Sequence, residues 1–454
     1  MTERGVEGIP GASVSREPTG LAWQSLGLLV AGVVGNTGFF VSSLVIARSL
    51  GPTGRGTIAF FIVSVLVGTR LVSLGIAEAT AVAAGRYPDR RPAVLAQAVV
   101  LSIALAIGGG AVAVTVLNLA TAWRPQNIDS TMIMLIGIGI VVTTVSAAAN
   151  GFLRGCARFR AYGGVMALAP WLYALCLGLL WARHELDIKS VAVVWLVAGG
   201  SNAMAALILA TRVAGLSKLE PRLIWESMGF GIRAWAGSLA GMVNARIDQV
   251  IMGFITTEMI LGFYSVAVNV SEVLLYLPQA IGSALLPAML QRASEDRVAE
   301  TVAVFRRLSV VTTAAAIAIA AVGAPLIPIV FGHAFRSSVA PFLLLLPSAL
   351  GYGALLVAEA GLLAVGAPAE ASLATVLAVV MGVVLDFVLV PPHGANGASI
   401  AASASWLTGG LVGIALLRRR GKTRWRNLIP GRNDIVAIVA AARSTMHSLA
   451  AMRS

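Results

Sequence analysis

The fold class this sequence predicts is an all-α protein that crosses a membrane many times, and three observations point to it. Charged residues make up only 12% of the 454 and hydrophobic ones 58%, where a soluble domain of this size carries about 25% charged residues. Apolar runs long enough to cross a bilayer recur along the whole chain, separated by short charged breaks; roughly 20 apolar residues span the hydrocarbon core as a helix. The breaks also alternate in basic charge. Backbone groups in lipid must be satisfied within their own segment, so runs of this length are helices rather than the short alternating strands of a barrel.

Twelve helices are predicted, over 22–47, 57–80, 92–120, 131–152, 161–182, 190–211, 230–255, 261–288, 308–330, 338–365, 369–390 and 397–417. Turn-forming clusters such as Gly51-Pro52-Thr53-Gly54, Trp123-Arg124-Pro125-Gln126 and Pro391-Pro392-His393-Gly394 mark the breaks. The even-numbered breaks and the C-terminal flank hold nineteen basic residues, among them Arg86, Arg90, Arg91, Arg154, Arg158 and Arg418–Arg420, against six in the odd-numbered breaks. That bias puts both termini on the cytoplasmic side. Residues 1–20 are polar and are read as a cytoplasmic segment; the run from Leu21 is too long for the core of a cleavable leader.

The rest divides into a six-helix lobe at 21–216, a second at 217–420, and a basic tail at 421–454. In the tail, Ile435, Val439, Ala442, Met446 and Leu449 recur at helical spacing, which predicts a helix lying on the membrane surface. A thirteenth span is disfavoured because Arg443 would sit near its centre. Residues 49–80 and 255–286 share a pattern of short turn, glycine and long helix, with Gly56 aligned to Gly262. The offset is six helices. An even number per repeat keeps both lobes in the same orientation, related by a pseudo-twofold along the membrane normal.

The net charge of +13 is explained by loop charges that set topology, and no nucleic-acid partner is expected. Lys189, Lys218 and Lys422 are the only lysines; with heavy Ala, Gly and Val usage this suggests a GC-rich bacterial genome. Cys156 and Cys176 give no disulfide framework, the four His have no metal-ligand spacing, and no cofactor is expected. A P-loop is absent, so the chain is not its own ATPase.

Several stretches resemble bacterial polysaccharide flippases (Wzx-like). Ala47-Arg48-Ser49-Leu50-Gly51-Pro52-Thr53-Gly54-Arg55-Gly56 is similar to their first outer loop. Asp248-Gln249-Val250-Ile251-Met252-Gly253, followed by Gly262-Phe263-Tyr264-Ser265, is similar to the start of their second lobe. Leu277-Pro278-Gln279, Phe331-Gly332-His333-Ala334-Phe335 and Gly394-Ala395-Asn396-Gly397 follow in family order. The resemblance implies the multidrug/oligosaccharidyl-lipid/polysaccharide exporter fold in the plasma (inner) membrane. It also implies a polyprenyl-diphosphate-linked glycan as cargo, alongside the lipid bilayer and pathway enzymes as partners. An antiporter of drugs or small cations shares that fold. A membrane-embedded polymerase is disfavoured by short outer connections and by the lack of paired carboxylates in a loop.

An ionisable group at the bilayer centre costs about 2.5–3.5 kcal/mol on insertion scales, so it faces a partner or water. Arg70, Arg246, Asp248, Glu272 and Glu359 are the candidates for a polar cavity between the lobes; Asp386 and Arg233 lie shallower. Arg246 and Glu272 reach similar depth on neighbouring helices and can pair. Arg246 and Asp248 are two apart and serve different faces. Arginine suits a diphosphate, whose oxygens it binds in a fork; the acidic groups would balance it or hold a coupling cation. Arg48 and Arg55 are read as loop residues reaching headgroups, Gly54 and Gly56 as turn formers, and Pro170, Pro278 and Pro347 as kinks.

Overall fold

The computed structural model describes residues 18–120, 129–215, 217–294, 296–438 and 440. The polar stretch 1–17 and most of the expected tail helix, including Ala442, Met446 and Leu449, lie outside the described residues. Within them the chain is helical. The N-terminal half holds α1 (Pro18–Val72), α2 (Ile76–Arg86), α3 (Arg91–Ala120), α4 (Ser130–Gly155), α5 (Phe159–Ala182) and α6 (Ile188–Ala214). The C-terminal half holds α7 (Pro221–Ile255), α8 (Glu258–Ser271), α9 (Tyr276–Leu290), α10 (Arg297–Phe331), α11 (Val339–Ala364) and α12 (Pro368–Arg420).

Among the described residues, nine helical stretches are long and apolar enough to cross a membrane. Two of them are too long for one crossing. Val30–Val72 has 43 residues and Pro368–Arg420 has 53, about 65 and 80 Å of helix against a hydrocarbon core of about 30 Å. Each bends at one glycine: Gly51 at φ 66° in α1 and Gly394 at φ 53° in α12. Only glycine takes such angles without strain. The expected breaks at 47–57 and 390–397 thus shrink to a single residue, and helix runs on through Pro52, Pro391 and Pro392. α7 is not among the nine; it carries Arg222, Glu226, Arg233, Arg246 and Asp248.

Two helices expected to be continuous are broken. The second predicted span stops at Val72 and resumes at Ile76, with Leu74 at φ 43° and Gly75 at φ 78°. The eighth is interrupted by a 3-10 turn at Glu272–Leu275. Pro278 explains the second case: it has no N–H for the carbonyl of Leu274, and its ring crowds that turn.

The two halves meet at several points. A Cβ on Gly56 would overlap the Glu258 carbonyl, and one on Gly262 would overlap the Pro52 carbonyl. Gly56, read from the sequence as a turn former, is therefore a helical residue whose missing side chain lets α1 and α8 touch backbone to backbone. Close by, Arg48 donates through Nε and Nη2 to the Val330 and Ile329 carbonyls, each at 2.7 Å. These belong to the last turn of α10, where carbonyls have no helical partner. Further along, Gly75 abuts Gly231, and Trp235 Nε1 donates to the Arg70 carbonyl at 2.5 Å. The largest apolar cluster joins Phe60 and Phe61 of α1 to Tyr264 of α8 and Phe331 of α10.

The helix α6 opens on a capping box. Ser190 N–H donates to Asp187 Oδ1 at 2.8 Å, and Asp187 N–H donates to Ser190 Oγ at 3.0 Å. The Ser190 hydrogen bonds hold the Asp187 carboxyl below its ordinary range. The cap is therefore complete above the unfolded pKa of about 4 and is lost as pH falls through the lower folded value. Asp187→Ala should cost about 1 kcal/mol near neutral pH. In thermal unfolding of the purified protein, the gap to wild type should narrow as pH drops below about 4.

Candidate functional site

Two stripes of α1 form one wall of a central cavity. Before the Gly51 kink, Asn36, Phe39, Ser43 and Ile46 recur three or four residues apart; after it, Arg55, Ala59, Ile62 and Leu66 do the same. At helical spacing each set lines one face, and the kink turns both faces onto one space of about 350 Å³. Tyr173 of α5 and Trp195 of α6 complete the N-terminal side. Arg246 and Gln249 of α7, Ser265 and Asn269 of α8, and Glu272 of the 3-10 turn supply the other. The cavity thus lies between the halves of the chain. Asn269 Nδ2 donates to Ser43 Oγ at 3.0 Å, a direct bond between α8 and α1.

Arg246 Nη1 sits 2.8 Å from Glu272 Oε1, so the structure brings together the two groups whose depth suggested a pair. Arg55 is the residue the sequence reading missed. It is 6% exposed, and its Nε has no hydrogen-bond partner among the described residues. The Gly-Pro-Thr-Gly run before it reads as loop, but Pro52 stands at the start of a helical turn and Arg55 faces inward. The spacing Arg55, Ala59, Ile62, Leu66 was the signal available. A buried guanidinium with an unsatisfied N–H is expensive, so an anion here would gain a charge-assisted bond. The lining charges are Arg55, Arg246 and Glu272, a net positive balance.

The other candidates lie elsewhere. Asp248 is 9% exposed and does not line the cavity. It accepts the Tyr264 hydroxyl and, at 2.7 Å, the Gln249 N–H, on a different face from Arg246 as its two-residue offset requires. Arg70, whose expected place was the cavity, pairs with Glu78 at 3.0 Å across the break between α1 and α2. The eight-residue separation hides that partner from a helix-face argument. Glu359 of α11 accepts the Thr375 hydroxyl of α12 inside the C-terminal half and is also off the cavity. Asp386 is packed inside the C-terminal half, 2% exposed, with Oδ1 unpartnered among the described residues. His, Cys, Asp and Glu form no group fit for a metal among the described residues.

Long apolar helices around a charged cavity between two halves define a multi-pass membrane protein, and several solved structures share its fold. A multidrug resistance MATE family transporter of the MOP superfamily in an inward-facing conformation matches with a TM-score of 0.73 at 13% identity, over 87% of this chain and 98% of that one. The lipid II flippase MurJ in an inward closed conformation matches at 0.69 and 13%, over 90% and 89%. An outward-facing MATE transporter matches at 0.60 and 12%, over 88% and 95%. The chain belongs to the family of polysaccharide biosynthesis proteins, whose sequence profile covers residues 45–340. No curated protein sequence matches it significantly.

Removing one partner of a half-buried ion pair leaves the other charge unpaired. Arg246→Ala should destabilise the protein by about 1–3 kcal/mol, less than the roughly 3–5 kcal/mol of a fully buried pair. Arg246→Ala with Glu272→Ala should cost less than the sum of the two single changes. Thermal unfolding of the four proteins checks this; additive losses would mean that the pair contributes nothing.

Proposed function

We propose that the chain is a flippase that carries a polyprenyl-diphosphate-linked oligosaccharide across a bacterial inner membrane for surface polysaccharide export. The observation that carries this reading is Arg55, buried with its Nε unpartnered among the described residues and facing the same cavity as Arg246. A diphosphate would satisfy both guanidinium groups in a low-dielectric site, where such bonds are strongest. The lipid tail stays in the bilayer while the head occupies the cavity, and no covalent step is required.

In this reading the chain forms two six-helix lobes, 21–216 and 217–420, followed by the tail at 421–454. Twelve spans follow when α1 and α12 each cross twice, the second crossing of α1 taking in α2, α8 and α9 together make one crossing, and α7 crosses. The seam at Gly56 and Gly262 supports a pseudo-twofold along the membrane normal. Gly56 meets Glu258 while Gly262 meets Pro52, and both pairings are related by the 206-residue offset of the sequence repeat. Reciprocal contacts of this kind are what a twofold axis produces. The charge bias of the loops supports cytoplasmic termini. Arg246 and Glu272 belong to head-group binding. Arg70 braces the joint between α1 and α2, Asp248 balances charge beside the cavity or holds a coupling cation, and Glu359 ties α11 to α12.

A drug or small-cation antiporter of the same fold is the second reading, and the net positive cavity counts against it. Leaflet exchange of a fluorescent polyprenyl-diphosphate sugar, read in sealed proteoliposomes with an impermeant quencher, separates the two. Wild type should exchange the label. Arg55→Ala and Arg246→Ala should each slow it about tenfold or more, the loss of one charge-assisted bond. Arg70→Ala should slow exchange less. Export of a cationic dye with no movement of any sugar lipid would replace the flippase by the antiporter.

A further inference from the structure

We infer that the segment after α12 is a preformed docking surface for the anionic headgroups of the adjoining membrane leaflet. This inference does not depend on the flippase reading.

The segment is folded onto the C-terminal half. Leu428 is buried with Val298, Val302 and Leu417. Arg306 Nη1 donates to the Asn427 carbonyl at 2.7 Å, and Arg306 Nε lies 3.0 Å from Asp434 Oδ2. Gly431 N–H donates to the same carboxylate at 2.9 Å. The Gly431 hydrogen bond and Arg306 together hold the Asp434 carboxyl below its ordinary range. The clamp is therefore intact at neutral pH and is lost as pH falls through that depressed value, below about 4.

The clamp decides which charges remain. Asp434 is the single acidic residue between 418 and 438, and its side chain is buried against Arg306. Arg420 is paired with Glu370, and Arg418 stacks over Trp425 at 4.3 Å. Arg419, Lys422, Arg424, Arg426 and Arg432 stay exposed. Trp425, Ile429, Ile435 and Val436 are each more than half exposed. The membrane-spanning α12 ends at Arg420, so the segment begins at the bilayer boundary. Exposed tryptophan and isoleucine beside unbalanced basic groups at that depth match an anionic interface in both polarity and charge.

The test uses the full chain in nanodiscs, with Cys176→Ser and an environment-sensitive fluorophore on Ile429→Cys. Raising anionic lipid from none to about 30 mol % should blue-shift the label and expose it to quenching by doxyl lipids, and high salt should reverse both. Arg424→Gln and Arg426→Gln should each weaken this response about fivefold, since one basic residue near an anionic surface contributes about 1 kcal/mol. Neither side chain takes part in the clamp, so thermal unfolding in detergent should be unchanged. A label equally exposed to water at every lipid composition overturns the inference and leaves the surface to a protein. A label equally buried in zwitterionic and anionic discs overturns its electrostatic part.

Discussion

Keeping charge inside an apolar envelope is the constraint on which the rest of this structure depends. With so few charged residues in the chain, each one placed between helices needs a partner, and the helices are shaped to supply it. Glu272 meets Arg246. Asp248 meets Tyr264. Glu359 meets Thr375. Arg70 meets Glu78 only because the helix breaks between them. Arg55 and Asp386 stand apart: among the described residues each is buried with one polar atom unsatisfied, a cost that a protein tolerates where a ligand offsets it, and of the two only Arg55 lines the cavity.

The backbone irregularities serve these charges. Pro278 unwinds the turn that holds Glu272, and the kink at Gly51 turns Arg55 toward Arg246. Irregular backbone at membrane depth is permitted where it lines a cavity or is covered by protein. The two breaks within predicted spans both fall beside an ionisable side chain, Glu272 in one case and the Arg70–Glu78 pair in the other.

Most of the helical content was legible in the sequence, because apolar runs of this length admit one structure. The Arg246–Glu272 pair was legible because two helices joined by a short turn fix relative depth. Arg55 was not, since glycine, proline and threonine at 51–54 signal a loop and the chain uses only Gly51 as a bend. The partner of Arg70 was hidden because Leu74 takes a left-handed angle that its residue type disfavours. The burial of Asp386 could not be read either: depth along a helix is countable, but the direction a side chain faces depends on which neighbours pack around it.

The seam at Gly56 and Gly262 has a thermodynamic consequence. Closing a contact between large side chains immobilises them, and each loses rotamer freedom that must be recovered on opening. At this seam the touching groups are main-chain carbonyls and glycine Cα atoms already fixed within helices. Bringing them together orders no side chain at the point of contact, and parting them releases none. The contact can therefore form and separate repeatedly with almost no conformational entropy at stake, leaving its strength to close packing and to the area removed from lipid or water.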